Sequence, residues 1–125
     1  MNTSSCKNFN WFLAGMSSLV NIEGIDMSSA GEYTMDNREG NTMLYDTDYP
    51  TGTSTTTIGS LDGLMQNIKL NDYVNLTKAS LQGILNSLGD VSGSGGKTIK
   101  IGSANKAKLD AADIAAAEAK GWTIL

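Results

Sequence analysis

Four short β-like pieces, "IDM", "IKL", "IKI" and "TIL", punctuate this chain, and its two clearest helical segments lie between the last three of them. Ile25 and Met27 flank Asp26, Ile68 and Leu70 flank Lys69, and Ile99 and Ile101 flank Lys100, so each piece has one apolar and one polar face. A three-residue strand buries nothing by itself, and an amphipathic helix leaves its apolar stripe open. Strands joined through helices are normally parallel, with right-handed crossovers. Stacking such units buries a continuous core, as a solenoid does. The pattern predicts an α/β chain, a short leucine-rich-repeat-like solenoid with a parallel sheet on one face and helices on the other.

The helical segments carry the sharpest local signals. In "NLTKASLQGILNSLG", Thr77 is the N-cap, Leu76 and Leu81 form a hydrophobic staple, and Gly89 is the stop. Leu81, Ile84, Leu85 and Leu88 make the buried stripe. Near the end of the chain, Asp110 caps a helix over Ala111–Lys120, with Asp113 completing a capping box and Leu109 and Ile114 forming the staple. Gly121 ends it, and Lys120 complements its C-terminal dipole. At the other end, Phe9, Phe12, Leu13 and Met16 fall on one helical face, which predicts a helix from Ser4 to about Met16. Ser4 or Ser5 is its cap, and its apolar run is too short and broken for a signal peptide.

Residues 31–57 interrupt the pattern. They are rich in Gly, Thr, Asp and Asn and hold the only proline, Pro50. The segment reads as an inserted loop with "TMLY" as a short strand and "TGTSTTT" as a flexible tether. Its "DNREGN" and "DTD" read as plain turns rather than calcium loops.

Composition narrows function. At 125 residues the chain suits one domain, and its net charge of −4 argues against a nucleic-acid surface. No apolar run reaches the roughly 18 residues of a membrane span. There is no histidine and one cysteine, Cys6, which reads as a small buried thiol. Common zinc sites and His-dependent nucleophilic catalysis are excluded, so an enzyme here would depend on carboxylates or lysine. The "GSGGKT" run has neither the spacing nor the strand-to-helix setting of a phosphate loop. No catalytic, cofactor-binding or metal residues are expected.

The N-terminal stretch resembles one repeat of the BspA-type leucine-rich repeats, through Phe9, Phe12, Met16, Ser18, Leu19, Ile22, Asp26 and Ser28. Residues 75–125, with "LTKASLQGILNSLGD", "KTIKIGSANKAKL" and "KGWT", are similar to a closing segment of such proteins in gut bacteria and their phages. The resemblance implies a non-enzymatic module, either a phage virion protein or a surface adhesin of the BspA type, located in the virion or at the cell surface. It implies protein or cell-surface glycan partners and makes 98–125 a C-terminal capping unit. So few repeats form a marginal core, which oligomerisation would complete. Two candidate binding surfaces follow from the residues. One is the outer face of the strands, where Asp26, Lys69 and Lys100 are expected as neighbours. The other is the inserted loop with Tyr33, Arg38, Tyr45 and Tyr49, since tyrosine-rich polar loops suit recognition. Trp11 and Trp122 are expected in the core or the cap.

Overall fold

A computed structural model describes residues 2–7, 9, 18–31, 54–71 and 73–125. Over these residues the chain is a mixed helix and strand fold with short parallel sheets. Its strands are β1 (Asn21–Ile22), β2 (Ile25–Asp26), β3 (Thr57–Ile58), β4 (Leu61–Asp62), β5 (Ile68–Lys69), β6 (Lys97–Lys100) and β7 (Trp122–Ile124). Its helices are α1 (Lys78–Ser87), α2 (Ser103–Lys106) and α3 (Ala111–Ala119), and a 3-10 turn spans Ser92–Ser94.

Every strand pairing is parallel. β1 pairs with β3, β2 with β4, and β5, β6 and β7 form one three-stranded sheet in that order. Alternation decides which side chains go inside: Ile25, Met27, Ile68, Leu70, Ile99 and Ile101 are all buried. The expected sheet is therefore split. "IDM" does not lie beside "IKL"; its partner is "LD" of β4. Two-residue strands have too few positions for a period to register.

Helix α1 seals the β3 and β4 edges with serine side chains rather than with a further strand. Ser80, buried within the apolar stripe, donates through Oγ to the Ile58 carbonyl at 2.8 Å and accepts the Ile58 N–H at 2.8 Å. Ser87 Oγ accepts the Leu61 N–H at 2.8 Å, and the Ser87 carbonyl accepts the Gly63 N–H at 2.9 Å. These hydroxyls complete backbone groups that would otherwise be buried without partners. Gly83 permits the approach, because a Cβ there would stand 2.8 Å from the Gly59 carbonyl oxygen.

The caps match the sequence except at two points. Thr77 accepts the Ser80 N–H, and both halves of the Asp110–Asp113 capping box are present. Gly121 adopts φ +91 past α3, the left-handed conformation expected at that position. Gly89 does not: it is absent from the positive-φ glycines, and its hydrogen matters for space instead, since a Cβ would meet Met65 Cγ at 2.6 Å and Leu64 O at 3.0 Å. No left-handed glycine is needed there, because the last carbonyls of α1 are satisfied from outside the helix. Lys120 supplies most of that, donating to the Leu85, Asn86 and Leu88 carbonyls at 3.0, 3.3 and 2.8 Å. It therefore serves the end of α1 rather than the end of its own helix.

The N-terminal expectation also changes. Residues 4 and 5 form a turn, with Asn2 Oδ1 accepting both the Ser4 N–H and Ser4 Oγ–H, and Cys6 N–H bonded back to Thr3 O. The local side-chain bonds compete with helix initiation. Thr3 is buried with Oγ1 on the Asp26 carbonyl at 2.9 Å, and Cys6 is half-buried. Phe12, Leu13, Met16 and Trp11 lie outside the described residues. The tether reading fails where it can be seen: Thr55 is buried with Oγ1 on the Leu19 carbonyl at 2.7 Å, and Thr57 belongs to β3. Threonine is a strong strand former, and here it docks rather than floats.

Candidate functional site

The outer face of the short sheets is set by the same alternation that fills the core. Register places Lys69 of β5 opposite Lys100 of β6, and Asp26 of β2 opposite Asp62 of β4. The structure thus brings together two like-charge pairs, not the mixed row of Asp26, Lys69 and Lys100. Lys69 and Lys100 are neighbours as expected; no pairing joins β2 or β4 to β5 among the described residues. Like charges on adjacent strands, about 4.8 Å apart, oppose pairing unless something outside neutralises them.

Asp26 is held in place by its own turn. Its Oδ1 accepts Ser28 Oγ–H at 2.6 Å and Ser28 N–H at 3.0 Å. Those two bonds hold its carboxyl below the usual aspartate range, the side-chain bond contributing most. Asp90 repeats the arrangement on Ser92, with the same distances and the same downward shift. The repeated D-x-S turn was present in the sequence as "DMS" and "DVS" but has no periodic signature to mark it.

The lysines divide into two sets. On the helical side Lys78 bonds Asp110 at 2.6 Å, an exposed pair that raises the lysine above its ordinary value. Lys106 bonds the Ile124 carbonyl, Lys108 bonds the Val74 and Leu76 carbonyls and Asn105 Oδ1, and Lys120 bonds the end of α1. Burial pushes the Lys120 ammonium down. On the strand side, the Lys69, Lys97 and Lys100 ammonium groups make no hydrogen bond or ion pair among the described residues. Asn105 is a polar centre that the sequence reading missed. It is fully buried and donates through Nδ2 to the Tyr73 and Ile101 carbonyls at 2.7 and 3.0 Å. An isolated asparagine on a polar helix gives no sign of burial, although Lys108 three residues on is the partner that makes it affordable.

Tyr33, Arg38, Tyr45 and Tyr49 lie outside the described residues. Trp122 is buried, with Nε1 donating to the Gly89 carbonyl at 2.8 Å, so it belongs to the core as expected. Among the described residues no group of three Asp, Glu, Cys or His side chains is placed to hold a metal ion. No helix of the described residues is long and apolar enough to cross a membrane. No family model, curated protein or solved structure matches this chain.

Proposed function

We propose that the chain is a non-enzymatic structural and binding module, a short leucine-rich-repeat-like solenoid serving a phage virion as a tail or head-associated, receptor-binding or assembly protein. The observation that supports this reading is the order of its contacts. Ile22 meets Ile58, Ile25 meets Leu61, and Ile68 meets Ile99, which meets Ile124, always in parallel register. Helical contacts follow the same step: Lys78 reaches Asp110, Gln82 reaches Asp113, and Asn105 reaches Tyr73, over 32, 31 and 32 residues. A chain in which each segment touches the segment one unit away is what a solenoid requires. In this reading α1 and α3 occupy the places that β1–β2 and β3–β4 fill in earlier turns. The insertion that begins at residue 31 ends before Thr55, which docks on Leu19, and 98–125 form the closing unit. The virion assignment itself rests on the resemblance of residues 75–125 to closing segments of that kind.

A secreted or surface-attached adhesin of the BspA type is the second reading. The Lys69–Lys100 pair favours it, because an uncompensated basic pair on an open sheet face suits an anionic glycan or protein. Light scattering on the purified full chain separates the two. A discrete oligomer supports assembly. A stable monomer that binds an anionic polysaccharide, and loses that binding in Lys69→Ala/Lys100→Ala, would replace it with the adhesin.

A further inference from the structure

Among the described residues β7 is an edge of its sheet. Lys97 N–H donates to Gly121 O and Leu125 N–H donates to Ile99 O, so Gly121, Thr123 and Leu125 turn their backbone groups toward β6. By alternation Trp122 and Ile124 turn theirs to the open side. No strand pairs with that side among the described residues, and Lys106 Nζ sits on the Ile124 carbonyl at 2.8 Å.

Helix α3 runs beside this edge. Asp113 and Lys120 face α1, through Gln82 and through the α1 carbonyls. Ala111, Ala115 and Glu118, at i, i+4 and i+7, lie on the opposite side and are exposed. The last unit of a stack needs a polar outer face if it is only a cap. This one offers alanines and one carboxylate that has no ion pair or hydrogen bond among the described residues.

We propose that this end face takes a second copy of the chain across a two-fold axis, β7 pairing antiparallel with its counterpart and α3 lying against α3. The proposal rests on the assembly reading above and gives that assembly its surface. Charge complementarity selects the occupant. Glu118 lies in the last turn of α3, its carbonyl accepting the N–H of Gly121, the residue before β7, at 2.9 Å. Lys106 stands at the end of β7, on Ile124. An antiparallel pairing centred on Thr123 carries Lys106 to the partner's Glu118 and repeats the contact by symmetry. The exposed alanines let the two helices approach closely, and the open Trp122 and Ile124 groups gain the strand partner they lack.

Light scattering across a concentration series tests this on the full chain, with a thermal melt of each variant to show that it folds. The expected result is a two-chain mass for the unaltered protein and a one-chain mass for Ala115→Arg, which still melts in one cooperative transition, below that of the dimer. Lys106→Glu and Glu118→Lys should each fall to one chain, and the double variant should return to two. A two-chain or larger mass that none of these variants changes would overturn the surface and leave the assembly reading standing. A one-chain mass for the unaltered protein at every concentration would overturn both and make Lys106 a guard that blunts the edge.

Discussion

Helix α1 is held on its two sides by different chemistry. Toward β3 and β4 it is sealed by its own short hydroxyls, Ser80 and Ser87, which reach strand backbone at 2.8 Å. Toward α3 it is sealed by long cations and carboxylates of the next unit: Lys120 on its last carbonyls, and Asp110 and Asp113 on Lys78 and Gln82. The first junction is dry at Ser80, half-buried at Ser87, and fixed in geometry. The second is half-exposed, charged and carried by flexible stems. Burial sets the value of a bond here more than its count does, so one lost hydroxyl on the dry side should cost more than one lost cation with three bonds on the wet side.

The largest expected effect tests a close backbone approach just past the second junction. Gly121 has φ +91, and a Cβ there would stand 2.7 Å from Ser92 N and 2.8 Å from Val91 C. Gly121→Ala combines left-handed strain with a backbone clash and is expected to lose on the order of 3 kcal/mol by urea denaturation. Gly93→Ala, where a Cβ meets nothing within 4 Å, is the control and should change little. Equal losses in the two variants would remove the argument from close approach.

Ser80→Ala comes next, at about 2 kcal/mol, because it leaves the Ile58 N–H and C=O without partners in the core. Lys120→Met keeps the stem and removes the ammonium. It should cost about 1 kcal/mol, since the uncovered carbonyls at the end of α1 can turn to water. The comparison breaks if the order of these two variants is reversed. The Lys120 variant also has a pH signature. A lysine whose folded value lies below its unfolded value binds fewer protons folded than unfolded, so stability rises with pH between the two, just below the ordinary lysine value of 10.5. That rise should be missing in Lys120→Met.

These two junctions also explain what the sequence could and could not disclose. The long-period elements were legible: Thr77, the Asp110–Asp113 box and Gly121 mark helix ends through chemistry local to a few residues. The alternation at Ile68–Leu70 and Ile99–Ile101 correctly separated inside from outside. β1, β3 and β4 were missed because two residues carry no period, and their partners lie 36 residues away in the chain. Lys120 was read as a local cap because its target is set by stacking, not by neighbours in the chain. Half of the candidate surface followed the same divide. Lys69 and Lys100 met because each sits in a recognisable strand, while Asp26 was drawn away by a strand that could not be seen.

The smallest effect expected belongs to the two D-x-S turns, and it sharpens the comparison because both turns are fully wet. The Ser28 and Ser92 bonds lower the Asp26 and Asp90 carboxyls from the ordinary 3.8. A carboxyl that is more acidic folded than unfolded contributes stability above its unfolded value, and that contribution is lost as pH falls through the folded one. Melting temperature should therefore decline below pH about 4 in the native chain. The decline should be shallower in Asp26→Asn/Asp90→Asn, which keeps an acceptor at each turn but nothing to protonate. Similar acid limbs in both proteins would mean that exposure screens these bonds out of the stability altogether. The distinction between the two sides of α1 would then extend to the whole molecule: hydrogen bonds weigh on the fold where water is excluded, and elsewhere they orient side chains.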